Sequence, residues 1–335
     1  MKWSFAAVAV ALCFTSTAGT TDEIKLTFAT NAGPNRSPHP EVSLPWAERI
    51  NEAGKGLVNV NVVQGFTIVT PQNFYARVQN DVVQIVYGLQ GSVGGVFRLS
   101  DVVRVPYLVE KGDLGSIAFW RLYKTGLLDA DYKDVHPLAL GMYPQSAMHL
   151  AKQPKSILDL SGLKIVANSK VTGDIIEKLG GTPITILIQE TYEALQRRTV
   201  DGTITGYPAI IAFKFSEVAP VHVDAQLGGG ATMLVMAKKK WQELPGALQR
   251  LIDENSGEAL SRRYGAANDV EWVEAQDFAK AQKNTIIVPT AEQDAAFRRK
   301  LEPVADNWVK DNPNGAAVLT KFRELMAQAR AESKK

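Results

Sequence analysis

The sequence predicts an α/β protein of two similar lobes, because one pattern of strands and helices occurs in it twice. Over residues 24–87 and again over 163–205, short apolar or β-branched runs alternate with helical segments in the order β-α-β-α-β. Strands joined through helices lie parallel, which covers both sheet faces and leaves ligand sites to the loops beyond the strand ends. The chain has 335 residues and no low-complexity segment or solenoid repeat, a length that suits two domains.

In the first half, residues 24–30 alternate as a strand and end in a polar turn beginning at Asn31. A helix over 41–53 follows, with Val42, Trp46 and Ile50 four apart on one face and Gly54 as its stop. Val58, Val60 and Val62 alternate as the second strand, 72–79 is helical, and 82–87 is a nearly continuous apolar strand. The ligand-facing loops of this half are those at Asn31, at 64–71 and at 88–91, the last carrying Leu89 and Gln90. A helix over 115–128 and a strand over 135–143 lead towards the second half, and 147–151 is expected to run back through the hinge.

The second half opens with a short apolar strand at 163–166. Asn168 or Ser169 caps a helix whose Val171, Ile175, Ile176 and Leu179 share a face, and Gly180-Gly181 stops it. The β-branched run 182–188 reads as a strand. Residues 190–198 form a helix with acids in its first turn and Arg197-Arg198 in its last, matching the macrodipole. Residues 200–205 return as the third strand. Beyond Pro208 come a helix and a loop, then a strand at 231–237 that returns to the first lobe. The rest is mainly helical, with a short strand at 285–289. Lobe one is then 24–145 plus about 228–270, lobe two 150–225 plus about 280–310, and 311–335 a C-terminal helix.

Lys2 precedes an apolar core at residues 5–14, and Ser16-Thr17-Ala18 supplies small residues for cleavage near Ala18, the pattern of a secretory signal peptide. Cys13 lies inside that core behind Leu12, where lipidation needs a small residue, so the expected product is exported without an anchor. From Gly19 onward there is no Cys, so no disulfide holds the mature fold. Lys and Arg number 37 against 35 Asp and Glu, with no long basic run, which argues against a nucleic-acid partner.

Enzyme chemistry finds no foothold. The four histidines, His39, His136, His149 and His222, have no zinc-ligand spacing, and neither a metal nor another cofactor is expected. His149, in an apolar strand, reads as a core residue. Gly228-Gly229-Gly230 lacks the Lys-Ser/Thr of a phosphate loop and reads as a tight turn, and no G-x-S-x-G elbow occurs. Carboxylates such as Glu190 and Glu193 fall on an exposed helix as solvated caps.

The run LSGLKI at 160–165, then LGGTPI at 179–184, then ETYEALQRRTVDG at 190–202, resembles the DctP-type solute-binding proteins of TRAP (tripartite ATP-independent periplasmic) transporters. The resemblance extends from about Ile24 to the C-terminal helices, and FRLSDVVRVPYL at 97–108 matches another recurrent segment of that family. It implies a two-lobed periplasmic-binding-protein fold with hinge strands, braced by a long helix expected over 248–278. It further implies a periplasmic receptor that captures a small organic solute between the lobes and hands it to the small and large membrane subunits of a TRAP permease. The alternatives are an exported enzyme or a sensor-coupled binding protein on the same fold.

This chain departs from the family where the solute is held. The family's carboxylate-binding Arg at the end of the LKIR strand is matched by Val166. Ser146 stands where some members have a second Arg, Leu89 where an acid is common, Ile188 where an aromatic stands, and Thr205 where Asn is common. Asn31 keeps a polar contact, and Asn168, Tyr143 and Tyr207 complete the expected lining. Arg98 and Arg104 are read as surface or hinge hydrogen-bonders. An Arg fork cannot be exchanged for an apolar side chain without losing a planar carboxylate, so the expected solute is a weakly charged or apolar carboxylate or a neutral compound, aromatic or branched and less charged than a C4-dicarboxylate. A single carboxylate would fall to Asn31, Asn168, backbone N–H groups or Arg36.

Overall fold

The computed structural model describes residues 23–30 and 39–334. The segment expected to be a signal peptide, with Cys13, and both Asn31 and Arg36, lie outside the described residues. β1 (Ile24–Thr30) is followed by α1 (Leu44–Ala53), β2 (Val58–Gln64), α2 (Phe74–Gln79) and β3 (Ile85–Leu89). β1 lies between β2 and β3 and is parallel to both, as the repeated pattern requires. Trp46 of α1 is fully buried and meets the Phe28 ring edge-on at 5.8 Å. Burial of one such side chain stabilises the lobe by roughly 2–3 kcal/mol.

The chain continues through α3 (Gly112–Lys124) into β4 (Val135–Tyr143), then crosses to the second lobe at Pro144-Gln145-Ser146. There β5 (Ala147–Leu150), β6 (Lys164–Val166), α4 (Lys170–Lys178), β7 (Thr182–Ile184), α5 (Thr191–Gln196), β8 (Gly202–Thr205), α6 (Pro208–Ala212), α7 (Phe215–Val218) and β9 (Val221–Val223) follow. After a second crossing, β10 (Gly230–Ala237) enters the first sheet between β3 and β4, antiparallel to both. The remainder is α8 (Lys238–Glu243), α9 (Gly246–Glu254), α10 (Gly257–Ala281), β11 (Thr285–Ile287), α11 (Ala291–Asp311) and α12 (Gly315–Glu332). The two sheets run β2-β1-β3-β10-β4 and β11-β9-β5-β8-β6-β7.

Four expectations are corrected. Residues 147–151 do not form the hinge: β5 is a central strand, buried along its length between β8 and β9, and the hinge is the short stretch before it. The β-branched run 182–188 pairs only as far as Ile184, because its single neighbour β6 is three residues long. The helix expected over 248–278 is two helices. Gly257 adopts φ +80°, which a right-handed helix cannot continue, so the chain turns between α9 and α10. β9 went unforeseen because three residues carry too little periodicity to read.

α10 braces both lobes, packing on α3 and β4 of the first and on α6 and β11 of the second. It crosses α3 where Gly265 faces Gly112: a methyl at Gly265 would overlap the Gly112 carbonyl oxygen. The C-terminal pair adds a second brace, α11 lying on α4 and α12 on α3. α11 begins in a reciprocal cap, in which the Gln293 amide N–H donates to Thr290 Oγ1 and the Thr290 amide N–H to Gln293 Oε1.

Candidate functional site

One half-buried carboxylate ties together three of the connections between the lobes. Asp224, at the start of the second crossing, accepts from Gln145 Nε2 of the first crossing at 3.2 Å and from Gln276 Nε2 of α10 at 2.7 Å. Burial raises the pKa of Asp224, and the Gln276 amide opposes that shift only in part. The second crossing also lies against the segment that follows Phe97. The Gly229 amide donates to the Val103 carbonyl (2.9 Å) and the Tyr107 amide to that of Gln226 (3.3 Å).

The carboxyl ends of β3 and β4 in lobe one and of β6, β7 and β8 in lobe two carry the expected site residues that are described, apart from Ser146 in the first crossing. Val166 and Tyr207 are packed into one apolar cluster with Leu195, Ile210 and Trp272, and Ile188 lies at its edge. Val166 is only 2% exposed, so its side chain faces lobe two's core. Gln90 is also turned inward, 3% exposed, donating from Nε2 to the Tyr132 hydroxyl at 2.6 Å. Neither joins the others at the lobe surface. Tyr143 is half-buried and donates to Glu271 Oε2 at 2.7 Å. Ser146 contributes its carbonyl to the Leu227 amide in the hinge, and the Thr205 carbonyl accepts from His149. Asn168 is exposed, and its Oδ1 accepts from Thr172 Oγ1 at 3.1 Å. Leu89 is 40% exposed and Leu187, which sequence reasoning passed over as strand, is 56% exposed.

Arg104, read from the sequence as a surface or hinge hydrogen-bonder, ends a 3₁₀ turn from Ser100 to Arg104 and is buried. Arg104 is 7% exposed, its Nε donates to Asp101 Oδ1 at 2.7 Å, and its Nη1 reaches across the lobes to Asn168 Oδ1 at 3.4 Å. The guanidinium occupies the space that Gly91 leaves open, since a methyl there would overlap Nη2. The i,i+3 spacing of Asp101 and Arg104 signals their ion pair in the sequence. Arrival against Gly91 and Asn168 does not show there, because both are distant in the chain. Arg98 donates to the Asp311 carbonyl (2.8 Å) and Arg298 lies 4.0 Å over the Tyr107 ring, so this segment is also where α11 touches lobe one.

Behind the site a buried histidine pair links three strands. His149 Nδ1 lies 2.9 Å from His222 Nδ1, His149 Nε2 lies 3.1 Å from the Thr205 carbonyl, and His222 Nε2 lies 3.0 Å from Asn284 Oδ1. Two neutral rings carry two protons. These serve Thr205 and the shared contact once the Asn284 amide is turned to donate to His222, its O and N being interchangeable in shape. Burial, then the neighbouring His222, lowers the pKa of His149 to about 3, and burial lowers that of His222. His149 is therefore the satisfied core residue that the apolar strand suggests.

Two surface cavities, about 540 Å³ beside Tyr75 and Lys133 and about 380 Å³ beside Lys111 and Trp272, include none of the expected site residues. Among the described residues no group of three His, Cys, Asp or Glu side chains is placed to hold a metal ion, and no helix is long and apolar enough to cross a membrane.

Two α/β lobes, tied by a narrow hinge and facing each other with their strand ends, define the two-lobed solute-binding class. Residues 28–311 match bacterial extracellular solute-binding protein family 7, DctP, and the chain belongs to that family. It is similar to the outer membrane transporter protein TsaT of Comamonas testosteroni, 28% identical over 301 residues that span 85% of this chain and 87% of that one. It also resembles the C4-dicarboxylate-binding periplasmic protein DctP of Rhodobacter capsulatus, 27% identical over 45% of this chain and 46% of the relative. Among solved structures, a TRAP solute-binding protein of Rhodoferax ferrireducens, crystallised with copurified benzoate, superposes with a TM-score of 0.83 at 25% identity. That match covers 92% of this chain and 99% of the other.

Proposed function

We propose that this chain is exported, loses its leader near Ala18, and acts as a periplasmic receptor for a weakly charged, aromatic or branched organic acid. It delivers that solute to the two membrane subunits of a TRAP permease. Lobe one comprises 24–145 plus about 228–270, and lobe two 150–225 plus about 280–310. The observation that carries the solute class is the pair of apolar side chains left open at the strand ends, Leu89 closing β3 and Leu187 beyond β7. Exposed apolar groups at a lobe interface are what an apolar solute covers on closure. The benzoate bound to the Rhodoferax relative supports the same class. Asn31, Asn168, Ile188, Tyr143 and Thr205 are the further lining residues of this reading, with Val166 and Tyr207 packed beneath them.

Native mass spectrometry of the protein as purified should show a copurified monoacid. Calorimetry should then give tighter binding of benzoate and of branched monocarboxylates than of succinate or malate. Tight succinate binding would contradict the reading, because a second carboxylate closed between the lobes without a counter-charge costs several kcal/mol, on the order of a thousandfold in affinity. A further variant separates this site from the arginine-based one of the family. Val166→Arg should not improve affinity for any acid and should lower stability by about 3 kcal/mol, because the new cation enters the cluster around Leu195 and Tyr207. Tightened dicarboxylate binding with unchanged stability would show Val166 facing the solute.

A further inference from the structure

We infer that Arg104 supplies the carboxylate seat of this receptor, in place of the missing arginine at the end of β6. The inference rests on the proposed solute class and names the group that holds its charge.

Three observations converge on this residue. The Arg104 side chain is more than nine-tenths buried, an expensive position for a cation. Asp101 accepts from its Nε, yet Nη2 donates to nothing among the described residues, while Gly91 leaves room for that nitrogen at the carboxyl end of β3. Nη1 points across the lobes to Asn168, the residue before the α4 cap, Ser169. Ser169 Oγ already accepts from the Thr172 amide, so the first amides of the nine-residue α4 remain without intrahelical acceptors. A carboxylate placed here accepts from Nη2 on lobe one and from the helix N-terminus on lobe two. Binding the anion therefore joins the lobes, which couples recognition to closure.

The seat has a built-in limit on charge. Asp101 neutralises Arg104 at 2.7 Å, and the adjacent Lys170 is held by Asp174 and by Asp311 at 2.7 Å. Both cations already have acidic partners, so a single carboxylate is held by the unused N–H donors of Arg104 and α4, and no unpaired cation is left for a second. This selects a monocarboxylate.

The test measures binding of benzoate, its neutral isostere benzamide, and succinate to the mature protein and its variants by calorimetry. Arg104→Met should weaken benzoate at least about 30-fold, the loss of one charged hydrogen bond, and leave benzamide within about twofold. Gly91→Ala, which displaces Nη2 while keeping the arginine, should weaken benzoate about fivefold with an unchanged melting temperature, the cost of bending a charged hydrogen bond. Benzoate binding by Arg104→Met within about twofold of wild type, or equal losses of benzoate and benzamide, would overturn the assignment. A wild-type protein that takes benzamide but no monocarboxylate overturns it too, and leaves the receptor reading standing. One that takes none of the three, and carries no organic acid through purification, overturns both.

Discussion

Gly228→Ala is expected to lower the free energy of unfolding by about 3 kcal/mol or more, the range of a severe backbone conflict. Gly228 adopts φ +91°, outside the range that L side chains tolerate, and a methyl there would overlap the Arg104 carbonyl oxygen. The obstacle is backbone, so no rotamer change relieves it. The residue lies in the second crossing, next to Gly229, whose amide donates to Val103. Moving this stretch pulls on the hinge and on the Arg104 segment together, so solute affinity should fall along with stability. Urea unfolding followed by circular dichroism measures the effect. Gly94→Ala is the control: a methyl there meets open space, so the change should stay within about 0.5 kcal/mol. Equal stability of the two variants would show that the crossing yields freely.

Acidification should weaken the second lobe through the histidine pair. His149 titrates at about 3 in the folded protein against an ordinary 6.5, because burial and His222 disfavour the imidazolium. The folded value lies below the unfolded one, so the unfolded chain binds the proton first. The stabilisation is complete above about pH 6.5 and is lost progressively as pH falls towards 3, at about 1.4 kcal/mol per pH unit for one histidine. Between pH 6.5 and 4.5 that amounts to about 2 kcal/mol. His222 shifts in the same direction and adds to the slope. His149→Gln should be less stable than wild type at pH 7 but show a flatter decline below pH 6.5. Parallel pH profiles for the two proteins would remove His149 as the acid-sensitive group. The Thr205 carbonyl accepts from His149 and the Tyr207 ring lies 5.3 Å from it, so the decline reaches β8 and the loop behind it.

The paired β-α-β-α-β halves, the return of a strand near 231–237 to the first lobe, and the family itself were legible in the chain. Each depends on local periodicity or on motifs read within a few dozen residues: valines alternating in β2, a helical face through Val171, Ile175 and Ile176, and the run ETYEALQRRTVDG. Hydrophobic spacing says which elements form and which face each one buries, since those are consequences of side-chain period. It does not say how far a strand pairs or where a side chain at its end points. Strand β7 stopped at Ile184 because its partner is short, and β5 became central because β8 and β9 flank it. Val166 matches the family's arginine in order along the chain, yet only packing against Leu195 and Tyr207 turned its side chain to the core. The buried guanidinium of Arg104, brought against Gly91 and Asn168 from distant parts of the sequence, was likewise the work of tertiary contacts. Composition and order determined an α/β solute-binding fold. Which side chains the strand ends present between the lobes was decided by long-range packing, because a burial preference belongs to a residue and a direction belongs to its neighbours.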